Sequence, residues 1–183
     1  MSAPLQYFTT ASLDGFTADR AGRFDWAVPP DAVHQLANDL MGASRLSLFG
    51  RRMYEVMSFW EDPPLDELPP VEREFADLWR DLDKIVYSRT LTAVATARTT
   101  LRAEFDPDEV RRLKAQAQHP LMIGGGELAS AAARAGLLDE LHLVLAPVVV
   151  GGGTPFLSSP VALELVEQTH VADGFVYLRY RVR

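Results

Sequence analysis

The chain has 183 residues, 48% of them hydrophobic, with 18 Lys and Arg against 25 Asp and Glu and no cysteine. That length fits one domain with one sizeable core; the net charge of −7 would repel a phosphate backbone, which argues against nucleic acid as a partner; and without cysteine there are no disulfides, no thiolate catalysis and no Cys-ligated zinc. Met1 to Leu5 lacks a basic stretch followed by an apolar one, and no run approaches the roughly 18 apolar residues of a membrane span, so the chain reads as cytoplasmic.

Residues 5–11 are rich in β-formers and lead to Asp14-Gly15, which predicts an opening strand and then a loop over 12–30. After Pro29-Pro30, Asp31 stands as an N-cap, and Val33, Leu36, Ala37, Leu40 and Met41 recur at helical spacing up to Gly42. Residues 45–49 read as a short strand, and Gly50 turns the chain into a second helical stretch. Residues 61–70, rich in proline and acid, form a surface loop before Val71, Phe75, Leu78 and Trp79 resume helical spacing. Residues 84–87 are another strand. Asp106 and Pro107 supply an N-cap and a first-turn proline for a helix with Val110 and Leu113 inward. Residues 121–123 read as a buried strand, Gly124 to Gly126 as a turn, and 127–135 as an alanine-rich helix closed by Gly136. A long strand over 141–150 follows, and residues 162–171 and 175–182 flank Asp173-Gly174 as a hairpin. This order predicts an α/β fold: a mixed sheet with helices on both faces and an antiparallel edge. No internal repeat or low-complexity tract occurs.

Gly124, Gly125, Gly126 and Ala129 fit G-x-G-x-x-A between a strand and a helix. Glycines let a backbone approach a pyrophosphate, and free N–H groups at a helix start bind its charge; the same residues also make a plain tight turn. A doubly wound dinucleotide fold is disfavoured, because only a hairpin's worth of chain follows and no acid ends the next strand at the right distance. Gly50-Arg51-Arg52 and Ser88-Arg89-Thr90 each follow a strand, which sets basic and hydroxyl groups at strand carboxyl ends, where they suit a phosphate or are simply solvated. Gly151-Gly152-Gly153 runs into Thr154-Pro155 and reads as a shaped loop with one substrate contact at most. The four histidines are scattered without ligand spacing, so no metal is expected; G-x-S-x-G and P-loop patterns are absent.

Six stretches together carry a resemblance: Ser12 to Phe16, Phe24 to Trp26, Gly50 to Glu55, Val86 to Leu91, Gly124 to Leu128, and Gly151 to Pro155. In order, and over nearly the whole chain, they resemble stand-alone proteins of the family named after the reductase domain of riboflavin biosynthesis, the C-terminal domain of the bifunctional deaminase-reductase. The resemblance implies a dihydrofolate-reductase-like fold with a mostly parallel sheet of about eight strands, a homodimer, and an NADPH site. Gly50, Arg51, Arg52 and the backbone of Met53 would sit by the phosphates; Ser88, Arg89 and Thr90 would hold the adenosine 2′-phosphate; Gly124, Gly125, Gly126, Glu127 and Leu128 would cradle the pyrophosphate and nicotinamide ribose. Met53 stands where the family commonly has threonine. Ser12, Asp14, Trp26 and Thr154 would face the substrate.

The stretch Trp26 to Asp31 is similar to the W-x-x-P-x-D of bacterial dihydrofolate reductases, which makes Asp31 the candidate catalytic acid as well as a candidate N-cap. Two positions depart from those enzymes: Val144 falls where the acid's threonine partner would be, and Leu82 where the arginine that grips folate's carboxylate would be. The riboflavin pattern is incomplete too, since there is no zinc deaminase domain and no D-D-P-type stretch after Tyr54. The resemblance therefore implies an NADPH-dependent reductase of a small heterocycle, pterin-like or ribosylaminopyrimidine-like. Its rival is a non-catalytic NADP-binding sensor or scaffold of the same fold.

Overall fold

The computed structural model describes residues 2–183. In chain order the strands are β1 (Leu5–Ser12), β2 (Phe16–Asp19), β3 (Leu46–Gly50), β4 (Asp83–Tyr87), β5 (Thr99–Arg102), β6 (Leu121–Gly124), β7 (Glu140–Ala146), β8 (Gly153–Pro155), β9 (Leu163–His170) and β10 (Val176–Val182). The helices are α1 (Asp31–Ala43), α2 (Arg51–Met57), α3 (Pro70–Asp81), α4 (Pro107–Gln116) and α5 (Gly126–Arg134). Eight strands form one sheet in the order β5-β4-β3-β6-β1-β7-β10-β9, and β2 pairs with β8 in a small second sheet. Strands β5 to β7 in that order run parallel; β10 and β9 are antiparallel. The expected mixed sheet with an antiparallel C-terminal hairpin is what forms.

Strand side chains alternate between faces, so the core is double. Leu5 and Tyr7 of β1, Leu48 of β3, Ile123 of β6 and Leu141 of β7 meet Val110 of α4 and Leu128, Ala129 and Ala132 of α5. On the other face Phe8 and Val144 pack with Val33 of α1, Met122 with Met41 and Phe75, and Phe49 and Val86 with Trp79 of α3. Buried lysines cap chain ends between these layers. Lys84 Nζ donates to the Trp79 and Leu82 carbonyls at 2.8 and 2.7 Å, closing α3, and Lys114 Nζ reaches Leu137 O and Asp139.

Local expectations meet the structure unevenly. Asp106 caps α4 by accepting from Asp108 N at 2.8 Å, as expected. Asp173 (φ 49°) and Gly174 (φ 83°) both take the left-handed conformations that a tight hairpin turn requires. Asp31, in contrast, is not the N-cap. Pro30 holds that position, and Asp31 is the first helical residue, with no capping hydrogen bond from its side chain. The strand expected over 141–150 stops at Ala146, because Pro147 has no N–H to continue a ladder. Short strands β2, β5 and β8 lie in stretches the sequence reading left as loops or unassigned; each has only three or four residues.

His142, on β7, is 2% exposed. Its Nδ1 lies 2.7 Å from the Tyr177 hydroxyl and its Nε2 3.1 Å from Glu140 Oε2. Burial pushes its pKa below the ordinary histidine value, outweighing the Glu140 carboxylate. In the unfolded chain the ring titrates near ~6.5. Just below that pH the unfolded state binds more protons than the folded one, so stability falls as the pH drops toward the folded-state pKa. Thermal midpoints should therefore decline from about pH 7 to about pH 5, and His142→Gln should flatten that decline. Equal slopes for the two proteins would show that His142 is not its source.

Candidate functional site

Strands β1 and β6 are neighbours whose chains leave in opposite directions. β1 continues through α1 on one face to β3, whereas β6 continues through α5 on the other face to β7. Such a switch point opens a crevice outside the strand carboxyl ends, the usual ligand position in open α/β sheets. The two strands also part there. β1 pairs with β6 only from Leu5 to Tyr7, while its pairing with β7 runs on to Ser12.

The glycine turn borders this crevice, and each of its residues is glycine for its own reason. A Cβ on Gly124 would lie 2.8 Å from the Phe49 ring; Gly125 has φ +99°; a Cβ on Gly126 would lie 2.7 Å from Phe156 O. The first bond within α5 is donated by Ala129 to Gly125 O at 2.9 Å, so the N–H groups of Gly126, Glu127 and Leu128 lie ahead of it. The Leu128 side chain is buried in the core, which leaves its backbone as the part that faces a ligand. The turn at Gly50 stands beside the first one: a Cβ on Gly125 would sit 3.5 Å from Met53 Cβ and 4.0 Å from Gly50 N.

Arg51, at the start of α2, is already engaged, with Nε 2.7 Å from Glu55 Oε1 and a second nitrogen donating to Thr90 Oγ1 at 2.8 Å. It ties α2 to the turn after β4. In that turn Ser88 Oγ accepts from the Thr90 and Leu91 amides at 3.2 and 3.0 Å. Arg52 and Arg89 are exposed. Arg89 and Ser88 line a shallow groove of about 380 Å³ with Phe105 and Glu104.

Most of the residues expected on the substrate side are engaged by the scaffold. Ser12 is fully buried, and its hydroxyl accepts from Phe16 N at 3.0 Å. Asp14 accepts from Val150 and Gly151 N–H at 3.1 and 2.8 Å. The Ser12 hydroxyl and then those two amides hold its carboxyl below the ordinary range. Both residues thus clamp the loops around the β2–β8 sheet, where Thr154 pairs with Ala18. Trp26 donates to Arg23 O and packs beside Val33 and Phe175. Asp31 is exposed, makes no hydrogen bond to any described residue, and lines a groove of about 450 Å³ between α1 and α3 with Gln35, Val71 and Glu74. Val144 and Leu82 are buried among apolar side chains, so neither position offers the polar group that a folate site would have.

Sequence reasoning missed one side chain here. His34 on α1 sits edge-on to Trp60 and Phe75, with ring centroids 5.8 and 5.2 Å away. Its position one turn after Asp31 was the only available signal. Among the described residues no three His, Asp or Glu side chains gather as a metal ion would require, and no helix is long and apolar enough to cross a membrane.

Three comparisons bear on this architecture. The uncharacterised protein YyaP of Bacillus subtilis (strain 168) is 27% identical over 174 residues, 92% of this chain and 89% of its own length. The crystal structure of a provisionally named riboflavin biosynthesis protein from Shewanella sp. PV-4 superposes with a TM-score of 0.77 at 23% identity, covering 100% of this chain and 99% of that one. Dihydrofolate reductase from Enterococcus faecalis, complexed with NADP(H), superposes with a TM-score of 0.62 at 15% identity, again over 100% and 99% of the two chains. The fold is thus dihydrofolate-reductase-like. With the RibD C-terminal domain model matching residues 3–177, the chain belongs to that family.

Proposed function

We propose that this protein is an NADPH-dependent reductase of a small heterocyclic substrate. The observation that carries the reading is the meeting of two glycine-bearing turns, at Gly50 and at Gly124 to Gly126, beside the parted ends of β1 and β6. The N–H groups of Gly126, Glu127 and Leu128 at the start of α5 are the donors for a pyrophosphate's charge. Bound NADPH would supply the hydride, and the protein's part is to bind and orient both reactants. Arg52 and Arg89, exposed and in no ion pair with a described residue, are the cations for the phosphates. The Ser88 hydroxyl, 3.4 Å from Thr90 Oγ1, adds a polar group beside Arg89.

A rival reading, an NADP-binding sensor or scaffold without turnover, is favoured by one observation: Asp14 and Trp26 spend their polar groups on loop backbone, while Asp31 lines a groove with residues of α1 and α3. Loss of NADPH absorbance with heterocyclic acceptors separates the two. The reductase reading includes a homodimer, because β9, the longer of the two edge strands, is largely exposed along its length, and such an edge calls for cover. Light scattering at micromolar concentration should give a dimeric mass; a monomeric mass would remove this element.

Calorimetry should show NADPH binding at least ~10-fold tighter than NADH, since each charge-assisted contact to the extra phosphate is worth about 1.5–3 kcal/mol. Arg89→Ala should erase most of that preference, and an unchanged ratio would disprove the role given to Arg89. Gly126→Ala drives a methyl group against the Phe156 carbonyl. It should cost about 1–3 kcal/mol of stability and weaken NADPH binding in the fraction that folds; a variant as stable as the parent would show that the close approach is not rigid.

A further inference from the structure

Asn38 is 1% exposed, and its amide nitrogen donates to Val71 O at 2.9 Å and to Glu74 Oε2 at 2.7 Å. With both N–H groups spent on acceptors, the amide cannot be flipped, so Oδ1 is the atom facing His34 Nδ1 at 3.3 Å. Nδ1 therefore carries the proton, and in the neutral ring Nε2 is left with a lone pair. Nε2 has no hydrogen-bond partner among the described residues and is not among the buried atoms left unpaired, so it is not sealed from solvent. Glu74, Asn38 and the edges of Trp60 and Phe75 hold the ring in place.

The imidazole is joined to the proposed cofactor crevice by one apolar stripe. Met53 borders Gly124 and Gly125; Met57 and Trp60 continue from it along the same cluster, and both also pack against the cluster that holds Met41 and Phe75. From Met53 in α2 to Trp60 in the 3₁₀ turn that follows it (Ser58–Glu61), the stripe is about 12 Å long at rises of about 1.5 and 2.0 Å per residue, long enough for one flat ring system laid beside a nicotinamide. Thioether and aromatic walls adapt to such a ring.

The charges of this side are one-sided. Residues 24–44 and 53–72, which supply α1 and most of the α2–α3 segment, contain nine Asp and Glu and no Lys or Arg, whereas Arg51, Arg52 and Arg89 stand on the cofactor side. A phosphate or carboxylate on the substrate would meet no cation in these two segments and a negative field.

We propose that His34, presented by Asn38 and Glu74, hydrogen-bonds the substrate through Nε2 in place of Asp31. The substrate class is then a neutral or cationic aromatic heterocycle bearing an N–H or amino donor and no phosphate or carboxylate tail. The inference rests on the NADPH-reductase reading. Its test uses the full chain saturated with NADPH, whose binding is measured first and separately; failure of that step counts against the reductase reading alone.

The probes are 5-amino-6-(ribosylamino)uracil and its 5-phosphate ester, which differ only in the anionic group. In samples with ¹⁵N-labelled histidine, His34 should show a protonated Nδ1 and a bare Nε2, and the unphosphorylated probe should shift Nε2. That probe should also bind at least ~10-fold more tightly than the ester, and His34→Phe should abolish the difference from background binding. Equal or tighter binding of the ester, a bound probe that leaves Nε2 unmoved, a protonated Nε2 with a bare Nδ1, or no binding of either probe to the NADPH complex each overturns the proposal. The resonance measurement on the unmodified protein decides the matter if His34→Phe does not fold.

Discussion

The carbonyl of Phe156 is the point on which the site's geometry turns. Tyr7 of β1 donates to it at 3.0 Å, and a Cβ on Gly126 at the start of α5 would lie 2.7 Å from it. Phe156 also donates its own N–H to Gly15 O at 3.1 Å. One residue therefore locks together the first strand, the helix that begins at the glycine turn, and the small β2–β8 sheet. Tyr7 is 1% exposed, and burial pushes its phenol up to about 12, so it stays a donor at any physiological pH. Ser130 reinforces the arrangement by donating to Gly126 O and accepting from Ser158 N.

This lock explains why the loops around the crevice are full of residues that look like ligand contacts yet serve the scaffold. Asp14 spends its carboxylate on two loop amides, Ser12 its hydroxyl on a third, and Arg20 donates to Gly151 O at 2.9 Å. A two-stranded sheet as short as β2–β8 is marginal by itself. Side-chain bonds to its flanking backbone and the anchorage at Phe156 supply what its own ladder cannot.

Electrostatics divides the crevice into two halves. The turns after β3 and β4 carry Arg51, Arg52 and Arg89, whereas residues 24–44 and 53–72 carry carboxylates and no Lys or Arg. A net charge of −7 hides this partition, because the acidic half and the basic half cancel in part. In the reductase reading proposed above, such a field would suit a phosphate-rich cofactor on one side and an uncharged or cationic ring on the other.

The sequence by itself determined the elements whose signals are local. Asp106-Pro107 had to open a helix because a capping carboxylate and a preset φ act within one turn, and Asp173-Gly174 had to reverse the chain because both residues tolerate positive φ. The six resembling stretches likewise announced the family before any coordinate. Tertiary structure alone decided the rest. Strands of three or four residues such as β2, β5 and β8 carry too little pattern to stand out, and only their neighbours define them. Whether Asp14 points at a ligand or at a loop depends on partners far along the chain. The orientation of His34 depends on Val71 and Glu74 of another helix. A histidine four residues before an asparagine says nothing of which nitrogen is free until the asparagine's own hydrogen bonds are fixed by packing.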